Sequence, residues 1–152
     1  MKWGGWTYLI VVATIMIAAS GCSSVLYDDE KFMDTWRDHI RNDDELMTQI
    51  TGAFERSDMI TAKEYLRQLS QISADDYSTV LEYQVSPDYQ KSQYYFAQYL
   101  SAKVDCLNMY VSDIERTEKG DTANQGYYLE LAHVKGRSAD NSLQLAIDNL
   151  PV

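Results

Sequence analysis

Glu130 and His133 are the residues whose types and spacing best suit chemistry in this chain. Three positions of separation place both side chains on one face of a helix. Di-iron sites in helical bundles use two such Glu-x-x-His pairs, together with glutamates from two further helices. The second histidine is His39, and Trp36 stands where the glutamate of a second pair would be. We therefore predict no metal site and no cofactor.

Two acidic runs, 28–30 and 43–45, also carry oxygen atoms of the kind that bind cations. A dedicated calcium loop spaces such ligands over roughly twelve residues and has a glycine at its sharp turn. Neither run has that spacing, so we predict solvated helix charge. The sequence also lacks a glycine-rich phosphate loop and a nucleophile-elbow motif. We predict no catalytic residue and no enzymatic activity.

The charge of the chain limits its partners. All 23 acidic residues follow Cys22, where 12 of the 13 basic residues stand against them, so the net charge of this part is near −11. Nucleic-acid binding needs a basic surface, and peripheral binding to anionic lipid usually needs a basic helix face. We expect no nucleic-acid partner.

The first 22 residues have the organisation of a secretory leader. Lys2 precedes an uncharged apolar run from Tyr8 to Ala19, and Ala19-Ser20-Gly21-Cys22 follows. This ending resembles the lipobox of bacterial lipoproteins, and Ser-Gly-Cys also ends archaeal leaders, although alanine stands where leucine is commoner. The resemblance implies cleavage before Cys22 and acylation of its thiol, as in diacylglyceryl- and palmitate-bearing lipoproteins.

This interpretation divides the chain into a signal peptide (1–21), a lipidated cysteine with a short tether (22–27) and a helical domain (28–152). The domain would be anchored on a cell membrane or outer membrane and face the periplasm or the extracellular side. The alternative is an uncleaved anchor. However, the stretch from Trp6 to Gly21 is about 16 residues, and a membrane-spanning helix needs roughly 20.

Cys106 is the second of two cysteines, so it has no intramolecular disulfide partner if Cys22 is acylated. We predict a buried thiol on a helix. A reactive or intermolecular role is the alternative.

Helical periodicity runs through the rest of the chain. The first helix is predicted from Asp28 to Arg56, with the following apolar stripe: Met33, Trp36, Ile40, Met47, Ile50 and Phe54. After a turn at 57–60, Thr61 and Glu64 predict a capping box for a second helix. The polar run 73–76 interrupts the apolar stripe of that helix and predicts a kink or restart.

Ser86-Pro87 predicts the start of a third helix, which continues to Glu118. Gly120 suits its end, and Asp121 or Thr122 suits the cap of a fourth helix that ends near Leu150. Short connections between long helices predict antiparallel neighbours. The expected fold is therefore all-α, an antiparallel up-down-up-down four-helix bundle after an N-terminal signal peptide.

The tyrosines are concentrated around the connection between the second and third predicted helices. Three alternatives are open for them: they fill wide helix faces, bind a partner or contact a lipid surface. The candidate partner contacts are Tyr89, Tyr94, Tyr95 and Tyr99. With an anchor and no catalytic site, the sequence favours a lipid-anchored helical module that contacts a protein partner in the cell envelope as an accessory subunit. The alternative is an extracytoplasmic domain that binds or senses a small ligand.

Overall fold

A computed structural model describes residues 26–121 and 126–151 of the chain. Its four helices are α1 (Asp29–Glu55), α2 (Met59–Glu82), α3 (Gln90–Glu118) and α4 (Tyr127–Asp148). No strand occurs in these two ranges. The helices are about 33 to 44 Å long at 1.5 Å per residue.

Each helix packs along the helix that follows it in sequence, and the short connections make these neighbours antiparallel. The predicted all-α, up-down-up-down four-helix bundle is confirmed. The first and last helices, α1 and α4, have no comparable backbone contact with each other. The bundle therefore has one open side, which the sequence does not predict.

The helix starts differ from the predicted ones. Thr61 does not cap α2, because the carboxylate of Asp58 accepts a hydrogen bond from the Thr61 amide at 3.1 Å and the helix already begins at Met59. α3 begins at Gln90, and the segment from Pro87 to Tyr89 forms a turn.

The cap of α4 is Gly126, with a φ of 86°, and not Asp121. The carboxylate of Asp121 is paired with Arg116. Thr122 lies outside the described residues. The end of α3 at Glu118 is as predicted, and Gly120 has a φ of 71°.

The predicted restart of α2 at 73–76 is wrong, since the helix runs without a break from Met59 to Glu82. The hydroxyl of Ser73 donates to the carbonyl of Leu69, so this polar side chain is satisfied within the helix. Asp76 contacts α1 at His39 instead of ending the helix.

Two apolar clusters fill the interior. One cluster, at the end where α1 begins, contains residues of all four helices, including Phe32, Val80, Phe96 and Ala146. The other lies towards the opposite end and joins residues of α1, α2 and α3, such as Ile50, Leu69 and Leu107. We call the end with the start of α1 the proximal end and the opposite one the distal end.

No helix in the described part of the chain is long and apolar enough to cross a membrane. The leader and Cys22 lie outside the described residues, so their cleavage and acylation stay predictions.

Candidate functional site: an apolar groove between α1 and α4

The proximal end of the bundle is closed by aromatic packing. Trp36 is 7% exposed and stacks on Phe96, with ring centroids 4.3 Å apart. Phe32 meets Trp36 and Phe96 edge to face. Aromatic pairs in these arrangements contribute beyond the area they bury. This end is therefore well packed.

Hydrogen bonds hold the start of α1 at the same end of the bundle. The amide of Asp28 donates to the carbonyl of Gln84 at 2.9 Å, and the Ser86 amide donates to the Asp29 carboxylate at 2.7 Å. The hydroxyl of Ser92 donates to the carbonyl of Ala146 at 2.8 Å. The start of α1, the α2–α3 connection and the last turns of α4 thus meet at the proximal end.

Ionisable side chains form a polar layer between the two clusters. His39 is fully buried, and its Nδ1 lies 2.6 Å from a carboxylate oxygen of Asp76. Its Nε2 is also buried and has no hydrogen-bond partner among the described residues. One such buried, unpartnered nitrogen costs stability.

Asp43, which lies between Ile40 and Met47 of the predicted stripe of α1, is the anion of a second pair in this layer. Nζ of Lys103 lies 2.7 Å and 2.8 Å from its two oxygen atoms, and the Tyr99 hydroxyl donates to it at 3.2 Å. Burial, reinforced by the negative charge of Asp43, raises the pKa of the Tyr99 hydroxyl. Tyr99 therefore stays a donor, and the layer links α1 to α3.

Beyond this layer the bundle opens into an apolar groove. Met47 and Phe54 of α1 form one wall, the 129–140 part of α4 forms the other, and the 103–118 part of α3 forms the floor. Its two halves measure about 400 and 510 Å³ and share Phe54 and Tyr110, so they are adjacent. We call this the distal groove.

The groove exposes side chains that the sequence assigns to the core. Met47 and Phe54 continue the apolar stripe of α1, yet they are 39% and 36% exposed, and Leu129 across the groove is 38% exposed. The prediction that Met47 and Phe54 fill the core is wrong, because α4 does not close over them.

Small residues on α4 account for the opening. Ala132, Gly136 and Ala139 share one face, and a Cβ added at Gly136 would lie 3.5 Å from the Cys106 sulfur. Short side chains let α4 lie close to α3. They also leave nothing long enough on this face to fill the space towards α1.

Cys106 contributes its side chain to this floor. Its thiol is free and mostly buried, which agrees with the predicted buried helical thiol, and burial raises its pKa. A raised pKa keeps the sulfur protonated and weakly nucleophilic. The alternative of a reactive thiol gains no support from this environment.

Three acidic side chains line the apolar groove. Asp140 belongs to the half nearer the polar layer, and Asp113 and Glu118 belong to the distal half. Glu118 is paired with Lys63, whereas Asp113 and Asp140 make no ion pair with any described residue. The cation in the lining, Lys103, is already paired with Asp43.

The predicted partner-contact tyrosines lie apart from the groove. Tyr94 is 60% exposed, and Tyr89 and Tyr95 are half-buried against the proximal cluster. Tyr99 is buried, so it is removed from the set of outward contacts. Whether the other three bind a partner stays a prediction.

The Glu-x-x-His pair of α4 is exposed. Glu130 and His133 both face solvent, and the ring of His133 lies 6.3 Å from that of Tyr110. Within residues 26–121 and 126–151, no three histidine, cysteine or acidic side chains are grouped in a way that could hold a metal ion.

Neither a protein family, nor a curated protein, nor a solved structure matches this chain.

Proposed function

We propose that this protein is a lipid-anchored, extracytoplasmic helical module that binds a protein partner of the cell envelope through its distal groove. One observation carries the proposal: the domain is closed where the predicted tether enters and has an open apolar surface at the other end. The tether of 22–27 can span at most about 20 Å. The distal groove therefore lies in the half of the domain farther from the membrane in the predicted arrangement.

Apolar side chains at the groove support a binding role. A contiguous exposed apolar surface on a soluble domain commonly marks an interaction site. Met47, Phe54 and Leu129 contribute to such a surface here, together with Met59 at the start of α2. Methionine is adaptable, and exposed methionines are common at binding surfaces.

A small-ligand site is the second candidate, because the volume of each half lies within the range of about 300–1,000 Å³ for ligand pockets. Such pockets usually bury most of the ligand and place several polar groups around it. The distal groove is long and open, and its ammonium group already has a partner. The protein-binding function is therefore the better supported of the two.

The anchor and the groove are tested separately. Mass spectrometry of the membrane fraction should show a species that begins at Cys22 and bears lipid. A photo-crosslinking amino acid at position 129 should capture one envelope protein in intact cells. The matched control is position 145 of the same helix, which is 43% exposed and lies outside the groove. An intact leader, or equal capture from both positions, would contradict the proposal.

A further inference from the structure

The shape of the distal groove restricts what can occupy it. Its floor runs from Lys103 to Glu118 on α3, which is about 22 Å at 1.5 Å per residue. The groove has α1 on one side, α4 on the other and α3 beneath. A further helix of a bundle would lie in this position. An occupying helix of about 15 residues, or four turns, matches this length.

An amphipathic helix bound in this way uses apolar side chains at positions i, i+3, i+4 and i+7. The groove offers apolar contacts along both walls, with Met47 and Phe54 on α1 and Leu129 on α4. Two adjacent cavities along α3 suit successive turns of such a helix.

The acidic groups of the groove select the charge of the occupant. Asp140 lies in one half and Asp113 in the other, and neither has a cationic partner among the described residues. Lysine or arginine beside the apolar face of the occupant would pair with them. Complementary charge also raises the rate of association and excludes wrong partners.

The same charges disfavour the other occupants. A second copy of this chain would bring its own acidic groups, and a net charge near −11, against Asp113 and Asp140. Fatty acids and anionic lipids carry negative headgroups, which these carboxylates repel.

We infer that the distal groove binds a cationic amphipathic helix, with about four turns, of the partner protein. This inference rests on the proposed function and names the chemistry of its partner. Apolar side chains of the occupant fill the two halves of the groove, and its basic flanks pair with Asp113 and Asp140.

The test uses the full-length protein in nanodiscs of zwitterionic lipid, with ¹³C-labelled methionine methyl groups. The probe is a 15-residue peptide with leucine at helical spacing and lysine on the flanks. Met47 and Met59 line the groove, whereas Met33 packs against the proximal cluster. We expect the signals of Met47 and Met59 to shift on titration while that of Met33 stays in place.

Variants locate the binding site. Leu129→Glu should weaken binding of the lysine peptide at least tenfold, and Leu145→Glu, an exposed change on the same helix, should leave it unchanged. The double change Asp113→Asn with Asp140→Asn should weaken binding about three- to tenfold, since each exposed charge pair contributes little. A peptide with glutamate in place of lysine should not bind.

Three results would overturn the inference: no shift at Met47 and Met59, an equal response to the glutamate peptide, or equal binding by Leu129→Glu. Shifts that depend on protein concentration without peptide would indicate a second copy and would also overturn it. The peptide test does not depend on acylation or on a cellular partner. If position 129 captures an envelope protein in cells but the lysine peptide does not bind, the inference is rejected and the proposed function stands. If the peptide binds but the protein carries no lipid or captures no envelope protein, the proposed function is rejected and the inference stands.

Discussion

The ion pair between Asp43 and Lys103 allows a quantitative test of how α1 is held to α3. Both side chains are 16% exposed, and the closest N–O distance is 2.7 Å. With an effective dielectric constant of about 20, the gross attraction at this distance is about 6 kcal/mol. Desolvation of each ion opposes it by several kcal/mol, so the intact pair contributes little in net terms.

Removing one partner is different, because the desolvation of the remaining ion is no longer offset. Lys103→Met leaves the Asp43 carboxylate without its counterion, a loss that costs about 3–5 kcal/mol when burial is complete. Partial exposure lets water compensate, so we expect a loss of about 2–3 kcal/mol. Asp43→Asn retains an acceptor for the Tyr99 hydroxyl, and we expect about 1–2 kcal/mol for it, because the lysine can extend towards solvent.

The double variant, Asp43→Asn with Lys103→Met, has no unpaired charge and should be less destabilised than the sum of the two single variants by at least about 1 kcal/mol. Urea unfolding followed by circular dichroism gives the four free energies of the cycle. Additive losses within about 0.5 kcal/mol would show that the two side chains are not coupled, and would refute the reasoning.

Three further predictions follow from single contacts. Leu107 is 2% exposed, and Leu107→Ala should lower the free energy of unfolding by about 2–5 kcal/mol in the same urea assay; a loss below about 1 kcal/mol would mean that its site is not packed. Gly136→Ala should stabilise the protein by about 0.5–1 kcal/mol, because a Cβ there meets the Cys106 sulfur at an ordinary 3.5 Å in mid-helix, and a lower melting temperature would contradict this. Hydrogen bonds from Thr61 hold the pKa of Asp58 below its ordinary value of 3.8. The ionised carboxylate of Asp58 therefore stabilises the folded state above that pH, and this stabilisation is lost as the pH falls through the lower folded-state pKa. The melting temperature of Asp58→Ala should therefore lie below that of the native protein at pH 7, with a difference that shrinks below about pH 4; a constant difference would rule out this linkage.

The sequence predicts the four helices because apolar residues at helical spacing are local information. Trp36 and Ile50 are buried as the stripe of α1 predicts. Helix starts are predicted less well, because alternative capping residues stand close together. Asp58 and Thr61 are both suitable caps, and the structure uses the first.

The groove could not be predicted from the stripe of α1 alone. Met47 and Phe54 have the same spacing as buried residues, and what decides their exposure is the helix opposite. The available signal is on α4, where Ala132, Gly136 and Ala139 recur on one face. Small residues at that spacing indicate close packing against one neighbour, but not which neighbour loses contact as a result.

The scarcity of backbone contact between α1 and α4 also bears on how the chain folds. Every extensive helix contact joins neighbours in sequence, so no long loop must close before stabilising contacts form. Helical bundles dominated by local contacts fold within microseconds to milliseconds. Helical hairpins can therefore form one after another along the chain. The contact of the first helix with the last, which the proximal cluster contains, can then form at the end of folding.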